Sequence, residues 1–189
     1  MVLIVIDGLD AAGKNTQAEM LAKRIQLIGK TYLIRSHPNS DNPLGHRARN
    51  YLYIKGRKAH IAASLFYLAD VYLSIFQYSW RHVDYVIFVR YLLGTAYLPS
   101  PLHKIAYRFF SCLVPNPKNM IYLNVSPNVA ESRLKKNRNH RERFETFQEL
   151  KKVSHKAWDL VSTGGWIIID GDRSPNEIHE EIISIIKLA

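Results

Sequence analysis

Residues 8–16 read Gly-Leu-Asp-Ala-Ala-Gly-Lys-Asn-Thr, and they follow directly on the apolar run Val2–Ile6. That run is short and β-branched and does not alternate, which is typical of a strand buried on both faces of a parallel sheet. Apolar residues then recur at helical spacing from Ala18 to Ile28, so the loop joins a strand to the start of a helix. Glycine lets backbone N–H groups point at phosphate oxygens, and a helix N-terminus adds partial positive charge. The stretch therefore predicts a phosphate-binding loop for a nucleoside triphosphate.

Two positions of this loop bear on the chemistry. Lys14 is expected to reach the β- and γ-phosphates, whereas Asn15 stands where the general motif has a hydroxyl that binds Mg²⁺. An amide oxygen is an uncharged ligand for Mg²⁺, and Asp7 is a second, tentative metal ligand. The residues expected to bind the triphosphate are Gly8, Ala11, Ala12, Gly13, Lys14, Asn15 and Thr16. The alternative is that this Gly/Ala-rich segment is only a tight turn.

Composition favours an anionic partner. The 189 residues include 26 Lys and Arg against 16 Asp and Glu, for a net charge of +10. Nucleotides and nucleic acid both fit that charge, but no recognised nucleic-acid module appears, so nucleic acid is the less favoured partner. The single cysteine, Cys112, cannot form an internal disulfide, and the first residues already form a strand rather than a leader. Because charged or polar residues interrupt the longest apolar stretches, we expect no membrane span and a cytoplasmic protein.

The rest of the chain alternates apolar strands with helices, which predicts an α/β fold with one parallel sheet and helices on both of its faces. The predicted strands are Val2–Ile6, Tyr32–Ile34, Tyr85–Val89, Met120–Asn124 and Trp166–Asp170. The predicted helices follow Lys14 and Pro127, cover residues 44–55, 59–77, 103–110 and 147–161, and end with one that opens at Ser174-Pro175. Ligands of such sheets bind at the carboxyl ends of the strands. The side chains expected at those ends are Asp7, Arg35, Arg90, Asn124 and Asp170.

Further segments carry a family resemblance. They are Arg35-Ser-His-Pro38 with Gly45 and Arg49, Arg90-Tyr91 with Ala96-Tyr97, Tyr122–Pro127, and Arg143-Phe-Glu145 before a long helix. Together with the phosphate loop they resemble the thymidylate kinases, a family of P-loop nucleoside-monophosphate kinases, over nearly the whole chain. The resemblance implies a three-layer P-loop NTPase fold in one domain, residues 1–189, with a five-stranded parallel sheet and a short basic lid. It also implies that ATP and Mg²⁺ are used to phosphorylate a nucleoside monophosphate, with dTMP as the default acceptor.

The same resemblance implies roles for individual residues. Asp10 contacts the acceptor sugar or the metal, Arg49 and Arg90 hold the acceptor phosphate, and Tyr67 stacks on the acceptor base. The candidate acceptor-binding residues are Asp10, His37, Arg49, Tyr67, Arg90 and Tyr97. Four of these residues also have a purely structural explanation. Arg90 could pair with a carboxylate such as Asp70, and Tyr67 could be a core residue. His37 could be an ordinary loop histidine, and Arg49 could simply be exposed to solvent.

Residues 133–145 form the predicted lid. Ala11 and Ala12 leave the phosphate loop without a basic side chain besides Lys14, and related enzymes then supply an arginine from the lid. Six Lys and Arg residues crowd between positions 133 and 143, with Arg138 and Arg141 at the centre. The expected catalytic residues are thus Lys14, Asp10, Arg90, Arg138 and Arg141. A solvated helix face is the alternative for this basic segment.

Four departures from the family pattern leave the acceptor and the metal open. Val89 replaces an aspartate associated with the metal, and Val71 replaces an arginine that contacts thymine. Gly94 and Leu98 replace a serine and a glutamine. A kinase with a different acceptor and a nucleotide-binding protein without transfer activity are therefore the two alternatives to a dTMP kinase.

The predicted helix over 59–77 has apolar residues on more than one face. Sheet on one side and a second subunit on the other would bury both faces, as in related kinases. We therefore expect a homodimer formed through this helix.

Overall fold

The computed structural model describes residues 1–39, 41–54, 57–78, 80–137 and 147–188. Its centre is a five-stranded sheet in the order β2-β3-β1-β4-β5, and every neighbouring pair of strands is parallel. The strands are β1 Val2–Gly8, β2 Tyr32–Ser36, β3 Tyr85–Val89, β4 Asn119–Asn124 and β5 Ile167–Asp170. The predicted parallel sheet is confirmed, and each predicted strand lies within two residues of the observed one.

Seven helices and one short 3-10 helix connect and cover the described strands. They are α1 Lys14–Leu27, α2 Pro43–Tyr53, α3 Arg57–Tyr78, the 3-10 helix Leu93–Tyr97, α4 Leu102–Leu113, α5 Pro127–Asn137, α6 Phe147–Val161 and α7 Pro175–Ile186. Side-chain caps fix two of the starts: Asn42 accepts from the N–H groups of α2, and Ser174 forms a capping box with Glu177 at α7. The three-layer fold expected from the sequence is thereby confirmed.

The core lies on both faces of β1, β3 and β4. Ile4, Val5 and Ile6 of β1 are fully buried, as are Ile87 and Val89 of β3. Continuous burial on both faces explains why these strands lack apolar-polar alternation. Because all five strands run the same way, their carboxyl ends meet at one edge of the sheet, and the site lies there.

Helix α3 bears on the expectation that the chain has no membrane span. By length and composition alone its window Ile61–Tyr78 could cross a membrane. The window carries Asp70 and Ser74, both fully buried, and each accepts a hydrogen bond from the guanidinium of Arg35 on β2. These polar contacts belong to a helix that packs on the sheet.

Candidate active site

The phosphate loop follows β1 as the sequence predicts. Gly13 has φ 91°, the left-handed region that favours glycine, and it caps the start of α1. Gly8 has φ 152°, and a β-carbon there would come within 2.6 Å of the carbonyl oxygen of Leu123 on β4. Both glycines are therefore required by the geometry of the loop.

Lys14 lies against the inner side of this loop. Its side chain is buried, and its ammonium donates to the carbonyl oxygens of Gly8, at 2.9 Å, and Leu9. The neighbouring Asn15 and Thr16 are exposed at the start of α1. The loop thus presents a fixed ammonium and a helix N-terminus at one place, which is the arrangement that binds polyphosphate.

Asp10 projects from the loop towards the end of β3. One of its carboxylate oxygens accepts from the guanidinium of Arg90 at 3.0 Å, and the other accepts from the hydroxyl of Tyr97 at 2.8 Å. Burial alone would raise the pKa of Asp10, but the charges of Lys14 and Arg90 with these hydrogen bonds lower it to about 2. Asp10 is therefore ionised at neutral pH, and the carboxylate partner of Arg90 is Asp10 rather than Asp70.

Arg90 adopts an unusual backbone conformation. Its φ is 63°, and a residue with a β-carbon pays roughly 1–2 kcal/mol for this left-handed geometry. The conformation turns the chain sharply at the end of β3 and leaves the guanidinium half-buried beside Asp10. Strain of this kind persists where the surroundings over-determine it, and functional sites are common places for it.

Asp7 has a structural task that the sequence did not reveal. It is 2% exposed; one oxygen accepts from the N–H of Gly8, and the other accepts from the N–H groups of Tyr91 and Leu93, at 2.7 and 3.2 Å. Burial raises the pKa of the Asp7 carboxyl, and the charge of Lys14 and these backbone N–H groups oppose the rise. Asp7 thereby ties the end of β1 to the turn after β3, and its tentative metal role stays a prediction.

The loop after β2 is held by a buried ionic network. The guanidinium of Arg35 pairs with Asp70, at 3.3 Å, and with Asp41. Asp70, which is fully buried, also accepts from the N–H of Asn39 at 2.9 Å and from the side chain of Asn42 at 2.6 Å. Because Asn42 caps α2, one carboxylate on α3 orders the loop and the helix that follows it. The apolar pattern of α3 gave no sign of this role for Asp70.

The two aromatic acceptor candidates contact different partners. The hydroxyl of Tyr67 donates to the carbonyl oxygen of Tyr91 at 2.9 Å, and Tyr67 is 8% exposed. Tyr97 binds Asp10, as described above. Stacking of Tyr67 on a base stays a prediction.

Two further acceptor candidates flank this region. His37 is fully buried, and its Nδ1 lies 2.9 Å from the carbonyl oxygen of Arg90. Arg49 is exposed on α2 and reaches the carbonyl oxygen of Pro38 at 3.3 Å. The structure thus brings Asp10, His37, Tyr67, Arg90 and Tyr97 together and leaves Arg49 at the rim.

Val71 and Leu98, which replace polar residues of the family pattern, are 1% and 5% exposed. Neither side chain presents an open surface in this structure. The two replacements remove polar groups of the family pattern, and their effect on the choice of acceptor stays a prediction.

Only the first part of the predicted lid lies among the described residues. Arg133 on α5 donates from Nη1 to the carbonyl oxygen of Ala11 in the phosphate loop, at 3.4 Å. Arg138 and Arg141 lie outside the described residues. Within the described part of the chain, Arg133 is the basic side chain of this segment that contacts the phosphate loop. The sequence placed it among the six basic residues but did not single it out.

A metal ion would find few free oxygen donors here. In the described ranges no three His, Cys, Asp or Glu side chains cluster in a way that could hold a metal. The oxygens of Asp7 and Asp10 accept the hydrogen bonds given above, whereas Asn15 is exposed beside the loop. This donor set fits a Mg²⁺ ion that is bound mainly by the triphosphate itself.

The chain is similar in sequence to known thymidylate kinases. The thymidylate kinase family model matches residues 6–182. A probable thymidylate kinase of Pyrobaculum aerophilum is 28% identical over 193 residues, covering 99% of this chain and 97% of the relative. The thymidylate kinase of Danio rerio is 26% identical over 190 residues, covering 95% of this chain and 87% of the relative.

Solved structures share the fold. A Candida albicans thymidylate kinase superposes with a TM-score of 0.75 at 20% identity, covering 99% of this chain and 92% of that one. A deoxyadenosine kinase from M. mycoides with bound dATP gives a TM-score of 0.69 at 19% identity, covering 98% of this chain and 100% of that one. The match of the family model over residues 6–182, nearly the whole length, shows that the chain belongs to the thymidylate kinase family.

Proposed function

We propose that this protein catalyses the ATP-dependent phosphorylation of dTMP to dTDP. The observation that carries the proposal is the meeting of two cationic groups at one edge of the sheet: Lys14 in the phosphate loop and Arg90 at the end of β3. Asp10, from the same loop, pairs with Arg90 at 3.0 Å and so joins the two. Phosphoryl transfer needs a donor and an acceptor held in line and their charge neutralised, and this arrangement supplies a cation for each.

Each residue has a part in that reaction. Lys14 and the N–H groups of the loop bind the phosphates of ATP, and Arg90 binds the phosphate of dTMP. Asp10 orients the guanidinium of Arg90, and Tyr97 orients Asp10. Since the phosphate loop has no basic side chain of its own beyond Lys14, Arg133 and the lid arginines Arg138 and Arg141 supply further charge over the transferred group.

Mg²⁺ completes the proposed site. The amide oxygen of Asn15 is the ligand that the loop offers, with the remaining ligands from ATP and water. When bound, the ion neutralises charge between the β- and γ-phosphates. The exposed position of Asn15 supports this assignment over Asp7, whose oxygens accept backbone N–H groups.

The proposal also covers the oligomeric state and the cellular compartment. The protein acts as a homodimer through α3, because Leu65, Tyr72 and Phe76 are 55%, 55% and 64% exposed on that helix. It acts in the cytoplasm, since its single cysteine is an exposed thiol, which suits a reducing compartment. Its partners are then ATP, a nucleoside monophosphate and a second copy of the chain.

An assay of ADP release tests the function. The purified enzyme is given ATP and Mg²⁺ with dTMP, dUMP, dCMP, dAMP, dGMP or thymidine, each in turn. We expect dTMP to be phosphorylated, and Lys14→Ala to lose measurable transfer while it stays folded by circular dichroism. If ADP were released only with thymidine, or only with a monophosphate other than dTMP, the acceptor of the site would be that compound. If ATP bound but no acceptor were phosphorylated, the protein would be a nucleotide-binding protein without transfer activity.

A further inference from the structure

The turn that presents Arg90 depends on side chains from distant parts of the chain. Arg90 has a left-handed backbone, and its own N–H donates to the carbonyl oxygen of Ile6 at 3.1 Å. Its carbonyl oxygen lies 2.9 Å from Nδ1 of His37, which is 53 positions earlier in the chain. Both backbone groups of Arg90 are therefore satisfied, one by β1 and one by the His37 ring.

The next residue is fixed in the same manner. The N–H of Tyr91 donates to Asp7, and its carbonyl oxygen accepts from the hydroxyl of Tyr67, at 2.7 and 2.9 Å. Asp7 belongs to β1 and Tyr67 to α3, so two further elements bear on this turn. Three side chains thus hold two consecutive residues by their backbone.

The chemistry of His37 determines which nitrogen carries its proton. A carbonyl oxygen only accepts, so Nδ1 must donate, and the neutral ring then has a bare Nε2. That Nε2 is buried without a hydrogen-bond partner among the described residues, in a ring that packs edge-on against Phe88 and Tyr67. Burial lowers the pKa of His37 to about 4 against the opposing charge of Asp70, so the ring is neutral at pH 7. A buried neutral ring with one committed donor is suited to hold a backbone and poorly suited to contact an anionic acceptor.

We propose that His37 and the hydroxyl of Tyr67 are positioning residues that hold the Arg90–Tyr91 turn, and through it place the guanidinium of Arg90 for the acceptor phosphate. This assigns His37 a role without acceptor contact, in contrast to the role expected from the family resemblance. For Tyr67 it adds a role for the hydroxyl that is independent of any stacking by the ring. The proposal rests on the proposed function in one respect, namely that Arg90 binds the acceptor phosphate.

Substitutions of matched shape separate the hydrogen bonds from packing. Tyr67→Phe removes only the hydroxyl. His37→Phe keeps a flat ring without a donor, whereas His37→Asn places an amide N–H close to the position of Nδ1. Each lost hydrogen bond leaves a buried carbonyl unpaired, so we expect Tyr67→Phe and His37→Phe to lower kcat/KM for dTMP by about 10-fold. His37→Asn should stay within about 3-fold of the wild type because it restores the donor.

The kinetic constants distinguish positioning from a loss of folded protein. A smaller folded fraction lowers kcat and leaves both KM values unchanged. A displaced Arg90 raises KM for dTMP and lowers kcat while KM for ATP stays the same. Unchanged KM for dTMP in both Phe variants, or no rescue by His37→Asn, would overturn the proposal.

A spectroscopic measurement makes the result independent of kinase activity. In protein labelled with ¹⁵N-arginine, the Nε–H signal of Arg90 is assigned by its loss in Arg90→Lys. We expect this signal to shift in Tyr67→Phe and His37→Phe and to keep its position in His37→Asn. If the signal moves as expected but the wild-type enzyme transfers no phosphate, the positioning inference stands and the proposed function fails. An Arg90 signal unmoved in all three variants refutes the positioning inference whatever the activity.

Discussion

The ring of Tyr67 lies so close to Gly94 that a β-carbon at position 94 would come within 2.3 Å of Cε1 of the tyrosine. The glycine is needed here for space, since its backbone does not have a positive φ. The serine that the thymidylate kinase pattern places at this position would therefore collide with the tyrosine. Tyr67 and Gly94 are a matched pair, and the glycine lets the tyrosine hydroxyl reach the carbonyl oxygen of Tyr91.

Gly94→Ser tests this pair. Overpacking a close contact costs typically about 1–3 kcal/mol, so we expect a loss of that size in the free energy of unfolding measured with urea. In a Tyr67→Ala background the ring is absent, and the serine should cost much less. Equal costs in the two backgrounds would show that the two positions are not coupled.

The Asp10–Arg90 pair predicts a pH dependence of stability. The folded-state pKa of Asp10 is about 2 against 3.8 as its ordinary value, so its stabilising contribution is present above pH 3.8 and is lost as pH falls towards 2. About 1 kcal/mol of it should be lost between pH 5.5 and pH 3. The side chain of Asp10→Asn does not titrate, so this variant does not lose that stabilisation. The difference in unfolding free energy between wild type and Asp10→Asn should therefore shrink by about 1 kcal/mol over this pH range. A difference that stays constant over this range would contradict the lowered pKa.

The fold could be predicted because its signals are local. Short β-branched runs, helical spacing and the glycines of residues 8–16 report on neighbours in sequence, and each of them predicted its element to within a few residues. Lys14 and the phosphate loop followed from the same local pattern. The sequence also indicated that Arg90, a cation directly after the buried run Tyr85–Val89, needs a partner, and the structure supplies Asp10.

The tasks of Asp7, His37 and Asp70 could not be predicted, because their partners are distant in sequence. Asp7 binds N–H groups 84 and 86 positions away, and His37 binds a carbonyl 53 positions away. The contacts of Asp7 and His37 are with the backbone, which has no residue-specific signature, and Asp70 binds Arg35 and Asn42, 35 and 28 positions away. The close approach of Tyr67 to Gly94 depends on the packing of α3 against the 3-10 helix and is equally invisible in the sequence.

The sequence of the phosphate loop also predicts weak binding of Mg²⁺. A neutral amide at Asn15 replaces the usual hydroxyl, and Val89 removes a carboxylate that the family pattern has near the metal. We expect a high half-saturating Mg²⁺ concentration, and Asn15→Ser should lower it. Rates measured across a Mg²⁺ titration check this, with Asn176→Ser on the exposed side of α7 as the control. Identical half-saturation for wild type and Asn15→Ser would be evidence against Asn15 as a ligand.

The exposed apolar side chains of α3 predict a dimer. Leu65, Tyr72 and Phe76 fall on one face of the helix, and sedimentation at micromolar concentration should give a mass near twice 21.8 kDa. Phe76→Glu should shift the protein to monomer, because it would bury a charge in the proposed contact. Leu27→Glu is the matched control, since Leu27 is 80% exposed on α1, outside that face. A wild-type protein that sediments as a monomer would count against the dimer.

The acceptor site predicts modest discrimination between dTMP and dUMP. A site that hydrogen-bonds a base edge rejects analogues strongly, whereas an apolar site separates small groups by only ~10–200-fold. Position 71 carries valine where the family pattern has an arginine for the thymine, so we expect dUMP to be accepted within ~200-fold of dTMP in kcat/KM. Introducing the arginine is a poor test, because Val71 is 1% exposed and a guanidinium there would enter the core. The wild-type enzyme assayed with both nucleotides is the informative comparison, and selectivity of several thousandfold would mean that other side chains or the backbone bind the thymine edge.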